Sequence, residues 1–209
     1  MQKLFILLLI SLGPAAFAQR FQGGFMLGMA GSQVDGDSYA GYNKINGLGG
    51  AYAKTMFTHK LGAQMEIKYC GKGAREKHDD PNPLFHKLSL HYVEIPLLIN
   101  YHITDELFPE FGFAPSILMS KSQEDVNGKI PASQMPEYKG FDFGWIIGIN
   151  YQFNDRLTGN MRYYYSLIPI GERSDNDYYY NFFAKALGYD KGAYNNVLSI
   201  GVYYILSSR

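Results

Sequence analysis

Residues 141 to 153, FDFGWIIGINYQF, alternate in side-chain character from end to end. Phe141, Phe143, Trp145, Ile147, Ile149, Tyr151 and Phe153 fall on one side of an extended chain. Asp142, Gly144, Ile146, Gly148, Asn150 and Gln152 fall on the other. A helix would mix the two sets on every face, whereas a strand separates them. The same period runs through 61–73, where Leu61, Ala63, Met65, Ile67 and Tyr69 oppose Gly62, Gln64, Glu66, Lys68, Cys70 and Lys72. The pattern predicts eight strands, over 21–32, 45–55, 61–73, 88–103, 107–119, 141–153, 157–167 and 194–206. Most reach the roughly ten residues that a tilted strand needs to cross a bilayer. The connections alternate in length: MFTHK, TDE and NDR are short turns, and 33–44, 74–87, 120–140 and 168–193 are long polar segments. An even strand number with short turns at one end and long loops at the other predicts an all-β fold, an eight-stranded antiparallel up-and-down transmembrane β-barrel.

Alternation alone does not say which face is outside. A soluble barrel carries charge on its exterior and apolar residues within. Here charged residues are 18% of the chain, below the roughly 25% of soluble domains. The more polar face is rich in small residues, among them Gly24, Gly28, Ala30, Gly144 and Gly148. Glycine suits the cramped interior of an eight-stranded barrel better than a solvated strand surface. The opposite face is large and apolar, as a lipid-facing surface requires. The competing reading is a secreted, lipocalin-like soluble barrel carrying an apolar ligand. In HYVEIPLLINYHI, 91–103, Val93, Ile95, Leu97, Ile99 and Tyr101 are then expected to face lipid. Tyr92, Glu94, Pro96 and Asn100 face the lumen, with a local bulge expected where Pro96 lacks an N–H.

The N-terminus, MQKLFILLLISLGPAAFAQR, has the Lys3 charge, a short apolar run and an Ala16-Phe17-Ala18 cleavage site. It reads as a cleaved signal peptide over 1–18, leaving an outer-membrane barrel domain over 19–209 with both termini in the periplasm. The apolar run falls short of the roughly 20 residues of a spanning helix. A formal net charge of +0 argues against nucleic acid as a partner. Outer-membrane lipid, and the barrel-assembly machinery during biogenesis, are the partners such a chain needs. With one cysteine, Cys70, no intrachain disulfide forms.

YVEIPLLINY resembles the Tyr-x-Glu-Ile-Pro-Leu-Leu signature of the PorT-like outer-membrane β-barrel family of Bacteroidota. GLGGAYAKT, QMEIKYCGKGAR, MRYYYSLIPI and NNVLSIGVYYIL resemble further strands of that family. The resemblance implies a barrel fold. Through the founding member's association with type IX secretion and gliding, it also implies a partner in a secretion machinery.

Glu66, Lys68, Glu94, Glu110, Asp142 and Arg162 all fall on lumen parity. Counting from the turns sets Glu66 near Arg162 in height and Glu94 near Lys68. Buried charges need partners, so these are expected to form a salt-bridged plug rather than an ion path. Lys54 lies near an interface and its parity leaves its facing open. Cys70 is expected as a small buried filler. In AREKHDDPNPLFHK, His78, Asp79, Asp80 and His86 are the residues that could gather round a divalent ion, but their spacing matches no zinc pattern and Pro81 and Pro83 suit a solvated loop. Asp175 and Asp177 lie near one another without an EF-hand pattern. No serine stands at a telling distance from a histidine, so neither an enzyme nor a cofactor is expected. Tyr178, Tyr179, Tyr180, Phe182 and Phe183, in loop 168–193, are of the types found at interfaces and mark a candidate surface for an extracellular partner, assisted by 120–140.

Overall fold

The computed structural model describes residues 21–37, 39, 41–76, 86–173 and 192–207. Its strands are β1 (Phe21–Asp35), β2 (Lys44–Met56), β3 (Leu61–Arg75), β4 (Lys87–Glu94), β5 (Leu97–Tyr101), β6 (Leu107–Asp125), β7 (Gly128–Lys129), β8 (Phe141–Asn154), β9 (Leu157–Ser166) and β10 (Tyr194–Ser207). β4 and β5 are two halves of one wall strand, since both pair with β3 on one side and β6 on the other. β7 only extends β6. β1 pairs with β2 and with β10, so the last strand returns to the first and the sheet closes. The result is an all-β, eight-stranded antiparallel up-and-down barrel. No described helix is long and apolar enough to cross a membrane, and the crossing is made by strands.

The odd positions of β1 to β9 and the even positions of β10 point outward. Leu27 is 72% exposed, Ile67 57%, Ile117 55% and Ile200 56%. Large aliphatic side chains this exposed, on every side of the ring, need lipid as their solvent. Aromatics flank this belt. Tyr101, Tyr151, Phe153 and Tyr204 lie toward the short-turn end. Trp145 and Tyr163, with ring centroids 5.4 Å apart, lie toward the other. The inward face carries small residues where large ones must fit. A Cβ on Gly148 would stand 2.5 Å from Glu110 Oε1 and 2.9 Å from Arg162 Cγ, and one on Gly144 would enter the Tyr164 ring.

β1 and β3 run on to Asp35 and Arg75, past their predicted ends, and three further differences bear on the lumen and the loops. Pro96 makes no bulge. Lys68 pairs with Glu94 and Met65 with Leu97, so the count is equal on both strands across the proline. The Pro96 carbonyl still accepts from Glu66 N at 3.0 Å, and Ile95 N still donates to Pro115 O at 2.9 Å. Only the missing donor interrupts the wall strand. The slip lies higher, where His91 pairs with Ser120 and Tyr92 with Leu118, leaving Met119 unpaired. The third difference is that 120–140 is not wholly loop. β6 runs to Asp125 and folds back into β7 through a turn in which Gly128 takes a φ of +108°. A short 3-10 turn, Ala132–Gln134, follows.

The long-loop end is closed by an apolar layer. Val34, Ala74, Leu88, Leu90, Tyr92, Ile170 and Ala193 pack together in the barrel mouth. Ile170 is pinned there by backbone bonds, donating to Ala193 O at 2.8 Å and accepting from Lys139 N at 2.7 Å. Tyr138 leans on this layer, and burial, with Asp37 and Tyr92 nearby, pushes its hydroxyl up to about 12.

Candidate functional site

Two ionic clusters lie in the lumen, among buried apolar side chains such as Met26, Leu98 and Ile146. The first centres on Arg162 of β9. Its guanidinium grips Glu66 of β3 with both terminal nitrogens, Nη1 to Oε2 at 2.8 Å and Nη2 to Oε1 at 2.7 Å. The same group turns its Nε to Glu110 Oε1 of β6, with Nη2 to Glu110 Oε2 at 3.0 Å. The planar fork of arginine suits two carboxylates at once. The remaining lone pairs are met as well. Tyr203 Oη and Gln64 Nε2 donate to Glu66 at 2.8 and 2.6 Å. Asn160 and Asn150 donate to Glu110 at 2.9 and 3.0 Å.

The second cluster centres on Lys72 of β3. Its Nζ lies 2.7 Å from Glu94 Oε1 and 3.3 Å from Asp142 Oδ2, and 3.5 Å over the Tyr164 ring. Lys68 Nζ holds the other oxygen of Glu94 at 3.1 Å. Asp142 Oδ2 also accepts from Tyr164 Oη at 2.8 Å and Asn195 Nδ2 at 2.9 Å. Every charged member of both clusters is buried. The space left between them, beside Cys70, is about 10 Å³, room for about one water.

The structure therefore brings Glu66, Lys68, Glu94, Glu110, Asp142 and Arg162 into two cross-strand clusters. Lys72 is the member that sequence reasoning left out. Its parity had placed it on the polar face, but it stood next to the predicted end of a strand that in fact continues to Arg75. Cys70 is buried in the lumen. Lys54, whose facing the sequence left open, points inward at the short-turn mouth. Its Nζ is 4.0 Å over the Phe108 ring and 3.3 Å from His102 Nε2. His102 stacks on Phe108 at 4.2 Å. Burial, and then the Lys54 charge, hold the His102 pKa below its ordinary value, so a neutral ring can accept from the ammonium.

Among the described residues, the rim histidines meet tyrosines. His86 stacks on Tyr39, with centroids 4.5 Å apart. His91 meets Tyr69 Oη through Nδ1 at 2.5 Å on the outer wall. Lys87 and Glu124 pair at 3.2 Å while partly exposed, a geometry that contributes little. His78, Asp79, Asp80, Asp175, Asp177, Tyr178, Tyr179, Tyr180, Phe182 and Phe183 lie outside the described residues.

The sequence profile of the outer membrane protein beta-barrel domain matches residues 17–172. The chain belongs to that family. Membership agrees with the closed ring and apolar belt, and places the protein in the outer membrane. No curated protein matches it. Among solved structures, it is similar to the attachment invasion locus protein Ail of Yersinia pestis, at 12% identity over 88% of this chain and 98% of that one, with a TM-score of 0.48. It is also similar to Neisserial surface protein A, at 11% identity over 90% and 98% of the two chains, with a TM-score of 0.44. A third is OprG from Pseudomonas aeruginosa, at 13% identity over 90% and 92%, with a TM-score of 0.36. At these scores the likenesses add nothing to the ring described above.

Proposed function

We propose that this protein is a closed, non-enzymatic outer-membrane barrel of the PorT-like branch, exported through a signal peptide cleaved after residue 18. Its termini and short turns face the periplasm. Its role is structural or that of a docking scaffold presenting the long-loop rim to a protein partner. The observation that carries this reading is the lumen: among the described residues, two ionic clusters and the apolar layer around Ile170 occupy it, with about 10 Å³ left between the clusters. A lipocalin-like carrier would need an apolar cavity inside and a polar exterior, whereas here two ionic clusters lie among the buried apolar side chains and the large exposed apolar residues ring the outside.

The test is reconstitution. The purified protein should run at different gel positions before and after boiling and should give no stable large currents in planar bilayers. Sustained single-channel openings would overturn the closed-lumen reading. Recovery from cells as a detergent-free soluble protein would overturn the membrane reading. The narrower link to type IX secretion, carried by the family resemblance alone, predicts that deleting the gene reduces the secreted and surface proteome. An unchanged secretome would remove it.

A further inference from the structure

At the short-turn mouth the described barrel opens into a vestibule of about 200 Å³. Its base is formed by Asn150 and Tyr203, which also bond to the Arg162 cluster. What distinguishes it is its cation. Arg162, Lys68 and Lys72 each have a carboxylate oxygen within 3.3 Å. Among the described residues Lys54 has none within 4.0 Å. Its hydrogen-bonding contact is the ring nitrogen of His102, which uses one of the three ammonium donors. The Phe108 face beneath it supplies a cation–π contact but no anion.

The other walls have a consistent chemistry. Gln22, Gln152 and Thr158 line the vestibule, with no side-chain bond among the described residues, and Asp155, more than 4.0 Å from Lys54 Nζ, adds a carboxylate that can accept from hydroxyls. Tyr52, set edge-on to Tyr203 at 5.0 Å, adds an aromatic wall. Free carboxamides and a hydroxyl suit a ligand with several hydroxyls. Aromatic surface suits the apolar face of a ring. A single unpaired ammonium suits one negative charge. The volume lies below the roughly 300–1,000 Å³ of drug-sized sites and is on the scale of one sugar ring.

We propose that this vestibule binds a carboxylated monosaccharide, its carboxylate on Lys54 and its hydroxyls on Gln22, Gln152 and Thr158. The inference goes beyond the function proposed above. The ionic clusters stop such a ligand from passing through, so the barrel holds it rather than transports it. Binding in micelles does not depend on which compartment the mouth faces, so a failure here leaves the closed-barrel reading standing.

The experiment is calorimetric titration of the refolded full-length mature chain in a detergent without a sugar headgroup, using glucuronate, glucose and inorganic phosphate as probes. Glucuronate should bind saturably, glucose at least tenfold more weakly, and phosphate not saturably. Lys54→Gln should weaken glucuronate at least tenfold while keeping the heat-dependent gel shift, and Lys87→Gln at the rim should leave it unchanged. Should Lys54→Gln fail to fold, Gln152→Ala, on the opposite wall, should weaken binding several-fold. No saturable glucuronate binding would overturn the proposal, as would wild-type affinity in the folded Lys54 variant or, where that variant does not fold, in Gln152→Ala. Phosphate binding as tight as glucuronate would reduce the site to a simple anion trap and overturn the sugar assignment.

Discussion

Replacing Glu94 with alanine is the sharpest probe of the lumen. Glu94 is 1% exposed and holds two lysines, Lys68 at 3.1 Å and Lys72 at 2.7 Å. After the substitution Lys72 keeps Asp142 at 3.3 Å and the Tyr164 ring. Lys68, 6% exposed, keeps no carboxylate within 4.0 Å among the described residues. Breaking a buried pair from one side costs about 3–5 kcal/mol, because the remaining charge stays desolvated. That is a large share of the roughly 5–15 kcal/mol that holds a typical domain folded. Lys68→Met is milder, since Glu94 retains Lys72. In the double variant the stranded charge is gone, so the two changes should couple by about 0.5–3 kcal/mol, and the double variant should be more stable than Glu94→Ala alone. The assay is a reversible urea titration of the barrel in vesicles, with the folded fraction read from the unboiled gel band. A Glu94→Ala loss below about 1 kcal/mol, with additive effects in the double variant, would show that water reaches Lys68 and that the plug argument is wrong.

Gly148→Leu places a side chain where Glu110 Oε1 and Arg162 already stand, at 2.5 and 2.9 Å from the new Cβ. Overpacking of this kind costs about 1–3 kcal/mol or more, so refolding yield should fall, and a wild-type yield would mean that the cluster can move aside. His86 stacks on Tyr39 outside the spanning strands, and burial lowers its pKa while Asp125 opposes the shift. Its neutral form is therefore favoured in the fold. Stability from this site is present above the unfolded value of about 6.5 and is lost as pH falls from there toward the lower folded pKa. An NMR titration giving His86 a pKa at or above 6.5 would contradict that reading.

Much of this architecture is readable in the chain because side-chain parity in a strand is a local property. FDFGWIIGINYQF reports its two faces without any neighbour, and the preference for glycine at 144 and 148 already points to a crowded interior. The alternation of short and long connections likewise sets the up-and-down order. What remained was non-local. Arg162 and Glu66 are 96 residues apart, and which charges meet depends on the tilt and closure of the ring. Lys72, already on the polar face of the predicted strand, joined a cluster only through Glu94 of β4 and Asp142 of β8, which closure of the ring brings to it. Pro96 looked like a bulge from sequence, yet pairing with β3 and β6 on both sides held the register, and the slip moved to Met119. Lys54 had no decidable facing until the ring closed and set it over Phe108 at the short-turn mouth. A strand encodes which way its side chains point; only closure of the barrel decides what they point at.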